Sequence, residues 1–366
     1  MTYAAIVQNQ STSASFNVLN KSTELSMLRC SQSALLLAQD SKLALKDRLS
    51  FLCLSGTRLD KFFEMQMGLI QTQNRLDCPA SEQIALGDLV AIIHVQVLQL
   101  VEHQSKLLKN LLRQMRDNND IGILYQKQWN ESQKVWLQSY FVNTLLPVLS
   151  PVGLDSTHPF PRIQNKSLCF IVSLNGQDAF GRHDGNAVIQ MPLSFPSLIE
   201  LPTETPHKKQ YVFISTLIQC FANELFNGLT VEGIYQFRVT RNCHVKRGDI
   251  INFKTDRNRR SDNFGDIIRL EVEDACPESL LAYLCEKANV TLDCTYLSPA
   301  PLDLTRYNEI CDNLVNTEGQ LTYSNLLNFR KMFNGVNNFR INLTKFISRQ
   351  IIKINRSNTN SRFRSS

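Results

Sequence analysis

The sequence predicts a multidomain α and α+β protein: an N-terminal helical bundle, then a mixed α/β head domain, then a basic, poorly structured C-terminal tail. Apolar residues recur every three or four positions before residue 125, which is the period of an amphipathic helix. After a proline-rich run, short β-rich segments alternate irregularly with helical ones. Asparagine and basic residues are frequent at the end of the chain, whose 366 residues are enough for two or three domains.

The first part of the chain is predicted to contain a disordered start and a helical domain. Residues 1–20 are polar and lack a hydrophobic period, so disorder is expected there. Apolar side chains at helical spacing run through residues 23–73 and again through residues 81–116, where they predict one long amphipathic helix. These segments define a helical domain at residues 21–125.

A proline-rich connector lies within the predicted head domain, residues 126–307. Residues 146–161 contain four prolines, each of which fixes its own backbone angle and extends the preceding residue, so neither helix nor strand is expected. Strands are predicted at residues 168–174, 186–191, 233–240 and 267–272, and helices at residues 213–225 and 278–288. Their order lacks the regular alternation of a doubly wound sheet, which favours α+β.

The last segment, residues 308–366, is predicted to be a basic tail. From residue 311 onward it carries nine lysine or arginine residues against Asp312 and Glu318, so its net charge of +7 exceeds the +6 of the whole chain. A polyanionic partner would suit such a tail, and a merely solvated basic end explains it equally well.

Composition argues against several classes of protein. No apolar run reaches the roughly 18 residues of a membrane-spanning helix and no secretory leader opens the chain, which predicts a cytoplasmic protein. The ten cysteines are scattered without a CxxC pair or zinc-ligand spacing, so free thiols are expected. The nucleotide-binding loops GxxxxGK[ST] and GxGxxG are absent, and the six histidines stand apart. No catalytic residue and no metal ligand are predicted; hydrogen bonding within the connector is the favoured role of His158.

A cluster of cations is the main candidate for ligand binding. Between residues 238 and 260 basic residues far outnumber Asp249 and Asp256. Guanidinium groups bind phosphate oxygens in a bidentate manner and stay charged at any relevant pH, so a phosphate polymer is a suitable ligand. A solvated loop accounts for the same charges equally well. The candidate contacts are Arg238, Arg241, Lys246, Arg247, Arg257, Arg259 and Arg260.

Residues 55–63 form a second candidate. The sequence Ser55-Gly56-Thr57 suits a turn that leads into a helix, where free backbone N–H groups can bind an anion. Asp60 would then be a helix N-cap or a first-turn acid that compensates the helix dipole. Capping is the favoured interpretation.

A series of short motifs stands in order between residues 24 and 304. They are Glu24-Leu25-Ser26-Met27-Leu28, Arg48-Leu49-Ser50-Phe51-Leu52, Leu59-Asp60-Lys61-Phe62-Phe63, the connector 146–161, Gln190-Met191-Pro192-Leu193, Ile199-Glu200-Leu201-Pro202, residues 237–242, residues 268–272 and residues 301–304. Together they resemble the bacterial polyphosphate kinases. The resemblance implies a helical N-terminal domain, an α/β head domain that mediates dimerisation, and reversible transfer of the terminal phosphate of ATP onto polyphosphate. It also implies ATP and Mg²⁺ as cofactors.

Two departures from the family pattern limit these expectations. The resemblance places the family's nucleotide-contacting asparagine at the position of Arg58. An arginine side chain only donates hydrogen bonds, so contact with adenine in the family manner is in doubt. A phosphate contact by Arg58 stays open. The family's reactive histidine and magnesium ligands belong to C-terminal domains beyond the position of Leu304. Here no histidine follows His244.

These departures predict a truncated or degenerate member that lacks phosphoryl transfer on its own. The alternative is a non-catalytic module that binds polyphosphate, or that dimerises with a full-length polyphosphate kinase and regulates it; a gene remnant is a third interpretation. Expected partners are polyphosphate and a second copy of the chain or a full-length kinase. No specific nucleic acid and no transmembrane segment are expected, and membrane association would come only through oligomeric partners.

Overall fold

The computed structural model contains a helical lobe packed against a lobe of mixed sheets. It describes residues 26–68, 70, 80–119, 121–154, 160–176, 185–192, 194–202, 209–226, 228–242, 265–299 and 301–313. The predicted disordered start and most of the predicted basic tail lie outside these residues. No helix within these ranges combines the length and the apolar character needed to cross a membrane.

The helical lobe follows from the apolar stripes of the first part of the chain. It contains helices α1 (Ser26–Gln39), α2 (Leu45–Lys61) and α3 (Ala80–Asn119), with a π-helical turn at Phe62–Met67 after α2. The stripes meet in one core, in which Leu28, Leu49 and Leu111 are buried. The helical periodicity of this part of the sequence is thereby confirmed.

The head lobe contains two sheets. Its strands are β1 (Ile121–Ile123), β2 (Val152–Leu154), β3 (Leu168–Gly176), β4 (Gly185–Gln190), β5 (Leu198–Glu200), β6 (Lys209–Phe213), β7 (Leu229–Arg241), β8 (Ile267–Glu273) and β9 (Thr295–Ser298). The six-stranded sheet has the order β2-β4-β3-β7-β8-β9 and is antiparallel except between β8 and β9. The three-stranded sheet has the order β1-β6-β5, and β1 runs parallel to β6.

Helices cover both faces of the six-stranded sheet. They are α4 (Glu131–Tyr140), α5 (Ile214–Phe221) and α6 (Glu278–Ala288), with a π-helical turn at Phe141–Leu145 and single 3₁₀ turns at Gln126–Gln128, Ala222–Leu225, Leu292–Cys294 and Leu304–Tyr307. Alternate residues of β3 point to opposite faces. Phe170 therefore shares a core with Leu137 of α4 and Leu217 of α5, whereas Ile171 shares one with Leu284 of α6. The α+β class is confirmed.

The proline-rich connector is not wholly irregular, contrary to expectation. Val152–Leu154 forms β2, which pairs with β4 from Val152–Val188 to Leu154–Asn186. A strand is possible because Pro151 directly precedes it and the following residues up to Pro159 keep their N–H groups. Residues 155–159, including His158, lie outside the described residues.

The two lobes share a core. Tyr211, Phe213 and Tyr296 of the head are buried in the same cluster as the apolar side chains of the helical lobe. The chain then returns to α2 through helix α7 (Asn308–Asn313), where Ile310 and Cys311 are buried. The sequence predicts that residues 308–313 belong to the poorly structured tail, whereas they form this helix because Ile310 and Cys311 pack into the shared core.

Candidate functional site

Arg238, the first of the predicted polyanion contacts, is enclosed between the lobes. It lies on β7 opposite Glu271 of β8, and only 3% of its side chain is exposed. Its Nε donates to Glu271 Oε2 at 2.7 Å, and its Nη1 donates to Asp60 Oδ2 at 3.1 Å. Its Nη2 donates to Asp60 Oδ1, and Nη1 lies 3.4 Å from Asp303 Oδ1. The guanidinium is therefore surrounded by carboxylates of this chain.

Arg269 is a second buried arginine of the same site, and it was not among the predicted residues. Its Nη2 lies 2.8 Å from Glu271 Oε1 and its Nη1 lies 3.3 Å from Asp60 Oδ1. The guanidinium carbon lies 4.7 Å from the ring centre of Phe63 and 5.5 Å from that of Tyr296, within the range of cation–π attraction. We call Asp60, Arg238, Arg269, Glu271 and Asp303 the ion cluster.

Asp60 does not cap a helix. It lies in the last turn of α2, which begins at Leu45, and residues 55–57 are inside this helix rather than in a turn before it. The small residues serve close packing instead: Ser55 Oγ donates to Ser31 O at 2.8 Å, and a Cβ added to Gly56 would lie 3.1 Å from Leu304 Cβ. The predicted N-cap and the predicted anion site at this turn are therefore wrong.

Burial and charge act in opposite directions on the groups of the ion cluster. Burial alone would lower the pKa of Arg238, but the three facing carboxylates raise it well above its usual value. Burial would likewise raise the pKa of Asp303, and Arg238 together with the Thr305 hydroxyl more than offsets this, so the pKa of Asp303 is lowered. Both groups are therefore held in their charged forms, as a fully enclosed ion network requires.

The other predicted cations fall into two groups. Arg241 is half-buried, and its guanidinium donates to Ile163 O and to Gly265 O, each at 3.0 Å, so it braces the chain around the end of β7. The remaining candidates, Lys246, Arg247, Arg257, Arg259 and Arg260, lie outside the described residues. The structure therefore turns Arg238 and Arg241 inward, and their role as polyanion contacts stays a prediction without support from this geometry.

Arg58 is on another side of α2. Burial lowers the pKa of its guanidinium, and Cys30 of α1 is the group that counteracts this. Arg58 is not among the residues around the small cavity described next. A phosphate contact by Arg58 stays a prediction.

A cavity of about 80 Å³ lies next to the ion cluster. Its lining includes Asp60, Gln104, Lys109, Arg238 and Tyr307. The buried Tyr307 hydroxyl has no hydrogen-bond partner among the described residues, which suits a cavity that holds ordered water. Ligand pockets for molecules of nucleotide size are about 300–1,000 Å³, so this cavity is too small for ATP.

The described histidines and cysteines have structural surroundings. His94 Nδ1 is 2.8 Å from Asp293 O and its ring packs against Tyr296 at 4.7 Å, while burial lowers its pKa. His103 is exposed on α3, and the cysteines of the described ranges are free thiols. The described part of the chain has no group of three or more His, Cys, Asp or Glu side chains that could hold a metal ion.

Comparison with known proteins assigns both lobes to one family. Residues 20–124 match the sequence model of the polyphosphate kinase N-terminal domain, and residues 132–310 match that of the polyphosphate kinase middle domain. The chain belongs to the polyphosphate kinase family. Its ion cluster thus joins the N-terminal domain, through Asp60, to the middle domain, through Arg238, Arg269, Glu271 and Asp303.

Individual polyphosphate kinases show the extent of the match. A polyphosphate kinase of Neisseria meningitidis serogroup C is 35% identical over 298 residues, which cover 79% of this chain and 43% of the relative. One from Xylella fastidiosa strain Temecula1 is 35% identical over 302 residues, or 81% of this chain and 43% of the relative. The polyphosphate kinase structure from Porphyromonas gingivalis superposes with a TM-score of 0.62 at 18% identity, covering 81% of this chain and 40% of that one. The chain spans less than half the length of these relatives.

Proposed function

We propose that this chain supplies the N-terminal and middle domains of a polyphosphate kinase and does not transfer phosphoryl groups by itself. The family reaction moves the terminal phosphate of ATP reversibly onto polyphosphate. The ion cluster carries the proposal, because its arginines are already neutralised by carboxylates. Phosphoryl transfer needs cations that are open to the γ-phosphate. The cluster is thus suited to joining two domains, and ATP and Mg²⁺ would act elsewhere in a complete kinase.

We expect the purified chain to form no polyphosphate when incubated with ATP, Mg²⁺ and a polyphosphate primer. The reason is that the described residues offer no activated nucleophile, and no histidine follows His244 in the sequence. Transfer of label from γ-labelled ATP into polymer measures the outcome, with the Neisseria meningitidis kinase as the positive control. Elongation above that of a mock purification would contradict the proposal.

The same assay, with a full-length kinase present, tests the alternative that this chain regulates such a kinase. A chain that pairs with a full-length kinase should change the kinase's rate in proportion to the amount added and then saturate. The exposed Val152 belongs to the edge strand β2 and the exposed Val148 precedes it in the chain, which supports a pairing surface in the head lobe. Dimerisation and a cytoplasmic location are parts of this proposal.

Polyphosphate binding is a second candidate function. It is favoured by one observation: the ends of the basic segment 243–264 are held together, since Asn242 N donates to Asp266 O at 3.0 Å. Lys246, Arg247, Arg257, Arg259 and Arg260 lie in the sequence between these two hydrogen-bonded residues. A concentrated group of cations binds a polyanion mainly by releasing its counterions.

We expect replacement of Arg257, Arg259 and Arg260 by serine to weaken polyphosphate binding at least tenfold at low salt. By analogy with single-stranded nucleic acid, the slope of log K against log salt should fall by about 0.7 for each lost contact. Filter binding over a salt series measures both. A variant with the exposed Lys42, Lys127 and Lys134 changed to serine removes the same charge and should bind nearly normally. Equal losses in both variants would show that only net charge matters.

A further inference from the structure

A second cavity, of about 240 Å³, shares Asp303 with the small cavity next to the ion cluster. Its polar lining includes Lys166, Ser197, Thr305, Arg306 and Glu309. Phe195 and Pro196 add an apolar edge. This cavity is distinct from the small one next to the ion cluster and is three times its volume.

Arg306 is enclosed in the lining of this cavity without an adequate partner. Only 13% of its side chain is exposed, and its nearest carboxylate contact is 3.6 Å from Nε to Asp303 Oδ2, longer than an N–H···O hydrogen bond. The buried Nε has no hydrogen-bond partner among the described residues. A guanidinium has five N–H donors, and enclosing its charge is costly unless anionic acceptors receive them. Burial accordingly lowers the pKa of Arg306, despite Asp303.

The carboxylates near Arg306 are engaged with other donors. Asp303 Oδ1 accepts from Thr305 N at 3.0 Å and from Thr305 Oγ1 at 2.5 Å, and it also faces Arg238. Glu309 accepts from the backbone N–H groups of Ser197 and Leu198 at 3.0–3.1 Å. Neither carboxylate is thus arranged as a bidentate partner for Arg306.

Lys166 adds a second positive charge at the cavity. Its backbone is in the left-handed region, with φ of 62°, and its Nζ lies 2.7 Å from Glu64 Oε1, while 36% of its side chain is exposed. An ammonium group can donate three hydrogen bonds, so the contact with Glu64 leaves donors for a ligand. The Ser197 hydroxyl is a further potential donor in the lining. Guanidinium, ammonium and hydroxyl groups together match the oxygens of a tetrahedral oxyanion.

We propose that this cavity binds a phosphoryl oxyanion, with Arg306 as its principal ligand and Lys166 and Ser197 as supporting contacts. The ligand is inorganic phosphate or the phosphate group of a small ester. The volume of the cavity leaves room for the organic group of such an ester, which the apolar edge at Phe195 would face. The proposal is independent of polyphosphate synthesis and of the basic segment 243–264.

Isothermal titration of the whole chain, at ionic strength held constant with chloride, tests the site. The probes are orthophosphate and, as a monoester, glycerol 2-phosphate; tighter binding of one identifies the source. We expect saturable binding at one site per chain, weakened at least tenfold by Arg306→Gln. Ser197→Ala, which keeps all charges, should weaken binding severalfold. It provides a second test of the site if Arg306→Gln fails to fold. The exposed Arg116, on α3, supplies the control: Arg116→Gln should bind normally.

Two results would overturn the proposal. One is that neither probe binds saturably up to roughly 10 mM, so that any binding free energy is weaker than about 3 kcal/mol. The cavity would then hold only water. The other is binding that is unchanged in folded Arg306→Gln and Ser197→Ala, which would place the bound anion elsewhere on the chain.

Discussion

Replacing Arg238 by alanine is expected to lower the free energy of unfolding by about 3–5 kcal/mol, because it removes one partner from a buried ion network. Asp60, Glu271 and Asp303 would remain enclosed with Arg269 as the main remaining cation. Urea unfolding followed by circular dichroism measures the change. Lys134→Ala, which removes an exposed partner of Glu131, is the matched control and should change stability by no more than about 0.5 kcal/mol.

The pH dependence of this loss distinguishes charge from packing. In the native protein the pKa of Asp303 is lowered, so its ionised form stabilises the fold. This contribution to the free energy of unfolding is complete above the usual carboxyl pKa and is lost as the pH falls through the lowered value. Without Arg238, burial should instead raise the pKa of Asp303, so the variant would recover stability relative to the parent as the pH falls. A loss below about 1 kcal/mol would show that the network contributes little, and a larger loss that is constant with pH would assign the effect to packing rather than charge.

Replacing Phe63 by alanine is expected to cost about 3–5 kcal/mol, the usual range for a buried phenylalanine. Phe63 is fully buried, lies edge-on to Tyr296 at 5.3 Å and covers the guanidinium of Arg269. Its removal would therefore leave a cavity at the point where the lobes meet and would uncover a buried charge. Chemical unfolding gives the change in stability.

A leucine variant separates the two contributions of Phe63. Phe63→Leu keeps most of the apolar volume but not the aromatic face, so we expect a loss of about 1–2 kcal/mol, made up of imperfect packing and the lost cation–π contact. If Phe63→Ala were no worse than Phe63→Leu, the site would collapse around the missing ring, and the covering of Arg269 would not matter for stability.

Local pattern was sufficient for the main secondary structure but not for the site. The apolar periods predicted the helical lobe, and the β-rich segments predicted β3, β4, β7 and β8, because these signals are contained within one element. The short strands β1, β2, β5, β6 and β9 went unpredicted, since three to five residues carry too little pattern. Their existence depends on pairing with distant partners.

Asp60 shows why the site itself was beyond local reasoning. Residues 55–58, which precede it closely, are small or polar and compatible with a helix start. Its actual partners, Arg238 and Arg269, are about 180 and 210 positions away. One local signal does point to the site. Arg269 and Glu271 are two positions apart in β8, whose other residues are apolar except for the terminal Glu273, so they share one face of the strand. Such a pair in a buried strand indicates an internal ion pair.

Strand β1 has a consequence for how the molecule can be divided. It follows α3 directly, yet its partner is β6, with Ile121 aligned with Lys209 and Ile123 with Tyr211. The sequence suggests a domain boundary between residues 125 and 126. A cut there would leave β1 on the N-terminal fragment, although its partner β6 is on the C-terminal one. The hydrogen-bonding boundary therefore lies before residue 121. Gene fusions and deletion series that respect it would keep the three-stranded sheet whole.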